Sequence, residues 1–349
     1  MTSIAESSTT PRRRWFRFSL RFLLLLVAMI GVPLGLKMNR VRTQQAVVAN
    51  LVETDAKLKF DLHPRFINGV NVTGPQEPPG PKWLREILGD KFFTELTDIQ
   101  MPPRDGKSQV TDDELSFISR LPYLERLTIR TERISVEERT NGDGLAQLAR
   151  LSTLQSLSLW GFATDADASH IAKIRQLENL KVSDSPMTDN GLASLVILSK
   201  LADLALPGTQ ISDLGLESVA KLRNLKALDI SRTRITGVGL KSLAKLPNLK
   251  TLCIRGTHVT DAGLKSLVDL RKLETLDISV TPITDAGLKY LQMMPSLVDI
   301  RLLDTKVHTE GVMELKKALP GCTVHWAIMG WGPQASQGAQ YSTLGLNRR

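Results

Sequence analysis

The chain has 349 residues, 42% apolar and only 5% aromatic. A core is therefore available, built on Leu, Ile and Val, and a chain disordered throughout is excluded. Its two cysteines, Cys253 and Cys322, exclude a disulfide-rich scaffold and a four-cysteine zinc site. The net charge of +9 sits at the termini: residues 1–42 contribute +7, Arg348 and Arg349 contribute +2, and residues 43–347 come to 0. A nucleic-acid-binding domain needs a basic face on its folded body, and no such excess exists there.

Phe22 to Leu36 reads FLLLLVAMIGVPLGL, and the stretch from Phe18 is 19 residues long. That is close to the ~20 residues that cross a bilayer. Arg21 can reach the head groups along its aliphatic stem, and Trp15, Phe16 and Phe18 suit the interface. The reading is a basic N-terminus over 1–17 and one transmembrane anchor over 18–36. A cleaved signal peptide is the rival. However, Lys37, Arg40 and Arg42 follow the apolar run where a small-residue cleavage site belongs, and Val47-Val48-Ala49 comes too late. Arg13-Arg14-Trp15-Phe16 is similar to a twin-arginine export signal, but Arg17 replaces an apolar residue. Five basic residues precede the apolar core and three follow it. This places the N-terminus in the cytoplasm and residues 37–349 outside it. Gly31 and Gly35 have the spacing of a helix-pairing motif, interrupted by Pro33.

Residues 37–90 form a juxtamembrane segment and N-terminal cap. Residues 41–53 look helical, Lys57 to Leu62 suits a strand, Asn68 to Pro81 is a Gly- and Pro-rich loop, and Lys82 to Leu88 suits a short helix. Asn71-Val72-Thr73 is a formal glycosylation sequon.

From residue 91 to 326 the chain repeats itself. Segments starting at Leu177, Leu201, Leu225, Leu249 and Leu273 align over 24 residues each. Leu180, Leu204, Leu228, Leu252, Leu276, Ile300 and Val324 recur at that period. Earlier spacings are looser, with insertions around 102–109 and 130–144. Each unit opens with LxxLxL, whose alternation marks a short strand with one apolar face. Then comes Thr-x-Ile-Thr-Asp-x-Gly-Leu, where the second Thr or the Asp suits a helix N-cap. A helical GLKSLAKL follows, with Leu240, Leu243 and Leu246 on one side. One such unit cannot bury its apolar face, but stacked neighbours can. The fold class is an α/β solenoid: an arc with a parallel sheet on the concave face and helices on the convex face.

These motifs resemble the leucine-rich repeat family in its 24-residue, helix-containing form. Members often carry Asn or Cys at the ladder position after the strand; here stand Ser185, Thr209, Thr233, Thr257, Thr281 and Thr305, whose hydroxyls can still bond to loop backbone. With its anchor, the chain is similar to membrane-anchored repeat proteins of bacteria. The resemblance implies recognition of a protein or cell-surface ligand. The Thr-Asp-x-Gly-Leu motif also resembles the repeats of F-box-type substrate receptors of ubiquitin ligases, which carry an adaptor-binding helical segment where this chain has an apolar run. A passive envelope scaffold is a further alternative.

In LxxLxLx the third, fifth and seventh residues face away from the core. Arg126, Arg130, Trp160 and Lys181 become neighbours on the concave face, and an exposed Trp beside cations is the type of anchor that carries interface energy. Asp229, Arg255, Asp277 and Arg301, with Asp299, interleave opposite charges, as a cross-strand ladder would. The binding residues expected are these two groups. Charged helix positions such as Lys241, Lys245, Lys265 and Lys289 form a solvated convex face. The chain lacks GxxxxGK[ST], GxSxG, HExxH, CxxC and GxGxxG, so the expectation is no enzyme, no cofactor and no metal. His258 and His308 fall on a loop edge facing solvent. Cys253 and Cys322 stand about three repeats apart, too far for a disulfide. Residues 327–349, rich in Gly, Gln and Ser, read as a flexible tail.

Overall fold

The structure is a computed structural model that describes residues 32–52, 57–61, 66–67, 70–71, 95–101, 110–121, 123–131 and 143–327. Two compact units divide the chain, one of residues 1–46 and 62–94, the other of residues 47–61 and 95–349. In the first unit, helix α1 (Val32–Val52) begins and runs on into the second. A small antiparallel pair joins β2 (Phe66–Ile67) and β3 (Val70–Asn71). The helix expected over 41–53 is thus present and starts earlier, at Val32. Among the described residues no helix is long and apolar enough to cross a membrane. The anchor assigned to 18–36 lies outside them, except that residues 32–36 open α1. The helix expected at 82–88 and the tail from 328 onward also lie outside the described residues.

In the second unit, ten parallel strands form one sheet in strict chain order. They are β4 (Glu95–Met101), β5 (Arg126–Arg130), β6 (Ser156–Trp160), β7 (Asn179–Ser183), β8 (Asp203–Ala205), β9 (Ala227–Asp229), β10 (Thr251–Cys253), β11 (Thr275–Asp277), β12 (Asp299–Arg301) and β13 (Thr323–His325). The strand expected from Lys57 is β1 (Lys57–Asp61), which pairs antiparallel with β4 and covers the first edge of the parallel stack. Helices link the strands: α2 (Asp112–Ile118), α3 (Asp143–Gln147), α4 (Asp165–Ile171), α5 (Asp189–Leu195), α6 (Asp213–Val219), α7 (Leu240–Leu243), α8 (Asp261–Leu264), α9 (Asp285–Leu291) and α10 (Thr309–Ala318).

The register realises the 24-residue period. Leu180, Leu204, Leu228, Leu252, Leu276 and Ile300 pair successively across the strands and are all buried. Each contributes about 1.5–3 kcal/mol by leaving water. Leu240, Leu243 and Leu246 close the core from the helical side. Strands stack at about 4.8 Å, whereas helices need about 8–10 Å. The sheet therefore lines the inner side of the stack. At the far end Trp326 packs against the core, and its indole N–H donates to the Val307 carbonyl at 3.2 Å.

Two hydroxyl ladders hold the turns. In the first, Thr209, Thr233, Thr257, Thr281 and Thr305 each donate to the carbonyl three residues back, at 2.5–2.8 Å. Ser185 donates to the Ser183 carbonyl at 2.8 Å. The threonines are structural, as their position after the strand implies.

The second ladder links neighbouring repeats. Asp165 accepts from the backbone N–H and hydroxyl of Thr188, at 2.7 and 2.6 Å. Asp189 does so with Ser212, Asp213 with Thr236, and Asp261 with Thr284. Thr188, Ser212 and Thr284 are also the N-caps of their helices. The Asp thus bridges to the next repeat's cap, and the Gly of Thr-Asp-x-Gly-Leu makes room for it: a Cβ on Gly191 would stand 2.5 Å from the Asp165 carboxylate. The ladder is interrupted once. Gly237 occupies the Asp position, Thr260 has no side-chain cap bond, and Gly237 lies against Gly263. Helix α7 there is a single turn, capped by Gly239 without a side-chain bond.

Candidate functional site

The expected columns exist. Arg126 pairs in register with Ser156, Thr128 with Ser158, and Arg130 with Trp160. Ser158 continues to Lys181 and Trp160 to Ser183. These strands place Trp160 in the middle of a cationic neighbourhood. The Arg130 guanidinium stacks 5.0 Å from the Trp160 ring centre, and the Lys181 ammonium lies 6.0 Å from it. Trp160 remains 38% exposed, enough for a partner to cover.

Together with Thr128, Ile129, Ser158, Leu159 and Ser183, these three residues line a cleft of ≈ 160 Å³. Pockets for small molecules run to about 300–1,000 Å³, so this one is sized for side chains. Arg126 does not join it. Its Nε bonds Asp98 at 3.3 Å and its guanidinium lies 3.8 Å from Glu125, which turn it toward β4.

The C-terminal group of charges differs from the expected cross-strand ladder. Asp229 accepts from the Ser231 N–H and Asp277 from the Ser279 N–H, both at 2.9 Å. Each carboxylate bonds locally, and among the described residues no ion pair joins either to Arg255. Arg301 pairs instead with Asp299 of its own strand at 3.4 Å, and Asp299 also meets the His325 ring at 3.0 Å. Short three-residue strands explain the first two: Asp229 and Asp277 sit where their strands end, so the nearest donor is the backbone two residues on.

Between Asp229 and Asp277 lies Cys253, buried and unpaired. Burial pushes its thiol up, with the flanking carboxylates of Asp229 and Asp277 adding to the shift. Such a thiol is a poor nucleophile. Cys322 is also unpaired, and burial followed by Asp299 raises it in the same direction. His258 is exposed; His308 is exposed too, yet its ring holds Asp285 at 2.9 Å in the place of the ladder Thr. Among the described residues no group of three His, Cys, Asp or Glu is placed to hold a metal ion.

Sequence reasoning placed Ser183 and Asp203 on this face without singling them out. The Ser183 hydroxyl is buried and has no hydrogen-bond partner. Burial raises the Asp203 carboxyl above its ordinary value, against an opposing pull from Lys226. Neither property has a signal in the residue pattern, because both depend on what neighbouring repeats leave uncovered.

Stacked strand–helix units with an in-register leucine column define the class of protein: a parallel-sheet repeat solenoid. Within this stack, residues 199–259 and 223–283 match the family model described as "Leucine rich repeat". Among solved structures the chain is similar to an internalin (inlF) from Listeria monocytogenes str. 4b F2365. That similarity has 18% identity and a TM-score of 0.39, over 62% of this chain and 70% of the other. Comparison with the curated proteins gave no match. A leucine-rich repeat domain suggests protein–protein recognition.

Proposed function

We propose that this chain is a membrane-anchored, non-catalytic recognition protein that binds a protein partner through the Trp160 end of its repeat sheet. The observation that carries the reading is Trp160 itself: half-open, stacked by Arg130 and flanked by Lys181 on the inner face. Aromatic and Arg side chains are enriched among the residues that dominate binding energy. The anchor rests on the apolar run at 18–36 and the orientation on its flanking charges. The Thr-Asp-x-Gly-Leu motif lends no weight to a ligase-receptor role, because the Asp–Thr ladder accounts for it.

Cross-linking of the full-length protein in its own membrane tests the reading. The wild type should recover a partner that Trp160→Ala and Arg130→Ala lose; equal recovery by all three would favour a passive scaffold. Protease added outside intact cells should digest residues 37–349, and protection of that region would reverse the topology. A chain lacking residues 1–42 should leave the membrane, and persistent attachment would move the anchor elsewhere.

A further inference from the structure

We infer that the Trp160 cleft is a carboxylate site, which reads an acidic residue on an extended segment of the partner. This rests on the concave sheet being the recognition face. Three independent features of the cleft converge on an anion.

The first is unspent positive charge. Arg130 and Lys181 both lean on the Trp160 ring, and among the described residues neither meets a carboxylate. The nearby acids are engaged elsewhere, Asp98 with Arg126 and Asp184 with Arg232 at 3.3 Å. The second is Ser183, whose side chain lines the same cleft. It is 2% exposed, and its hydroxyl has no partner. A buried hydroxyl left without a bond is costly, and an arriving acceptor oxygen would satisfy it. The third is the donor count. Backbone N–H groups here are consumed by the sheet: Thr131 donates to the Trp160 carbonyl and Gly161 to the Ser183 carbonyl. What remains are two side-chain cations and the hydroxyls of Thr128, Ser158 and Ser183, of which only that of Ser183 is buried without a partner. Two cations and a buried hydroxyl suit the oxygens of a carboxylate side chain carried by a protein partner. The volume agrees, being that of a side chain.

A phage-displayed library of random 12-mer peptides, selected on the detergent-solubilised full chain, provides the test. Selected peptides should share one Asp or Glu. Replacing it with Asn or Gln should weaken binding about ten-fold or more, the effect of one lost charge-assisted bond. Lys181→Met and Ser183→Ala should weaken the acidic peptide several-fold and leave the amide peptide unchanged. Ser183→Ala should also leave the melting temperature equal or higher, since it removes an unsatisfied group; that separates lost binding from lost folding. Peptides that need Trp160 but tolerate the amide would overturn the carboxylate assignment and leave the recognition reading standing. Tighter binding of a phosphoserine version would overturn it in favour of phosphate. Peptides indifferent to Trp160→Ala, or no enrichment at all, would overturn both.

Discussion

The eighth position of every regular repeat turns the chain with positive φ. Gly161, Gly208 and Gly256 do so freely, whereas Asp184, Arg232, Asp304 and Val280 do so as L residues, at φ 48–57°. Val280 is the outlier, because a β-branched side chain crowds its own backbone there. Its side chain is exposed, so it recovers little by packing. Val280→Asn should stabilise the domain by roughly 1 kcal/mol, read as a higher denaturation midpoint with an unchanged slope; a lower midpoint would show that Val280 packs usefully.

Asp203 makes a second prediction. Its folded carboxyl binds protons more readily than an unfolded one, because burial raises it. Native protein then holds more protons than unfolded protein, so this group lowers stability as pH rises above its ordinary value of 3.8. Asp203→Asn should raise the melting temperature at neutral pH, and the gain should vanish below that value. A gain independent of pH would refute the burial argument. At this scale the sequence was only partly legible. The alternation of LxxLxLx placed Trp160, Arg130 and Lys181 on one face. It could not show that Arg126 turns to Asp98, because β4 belongs to an irregular unit whose spacing to the next differs from the rest.

Elements of the repeats, by contrast, were legible. The two periods, two residues in the strand and 24 between units, fix register and stacking together, since a slip of one residue would expose the leucine column. The Thr-Asp-x-Gly-Leu pattern announced a capped helix. It did not announce that the Asp serves the following repeat, because a cap and a bridge use the same residue types. Coupling between Asp and Gly is therefore a structural result. Gly287→Ala tests it. In an ordinary helix this change is favourable by about 0.5–1 kcal/mol, but here the new Cβ meets the Asp261 carboxylate of the preceding repeat. It should destabilise the wild type and be tolerated once Asp261→Ala is present. A double-mutant cycle measures the coupling; simple additivity would mean that the carboxylate moves aside at no cost.

For the whole molecule, stability in a stacked array is a sum of unit terms and interface terms between neighbours. From Asp165 to His308 every interface but one has three fasteners: the leucine column, the sheet ladder and the Asp bridge to the next cap. The interface between the units of Gly237 and Gly263 lacks the third, and backbone closes the space instead. The bridges thus run in two separate series, from Asp165 to Thr236 and from Asp261 to His308. Under lengthwise force the bridged stretch has one unfastened seam. Between Asp165 and His308 the stack should part first at that seam, leaving Trp160 on the N-terminal piece and the Asp261 series intact on the other.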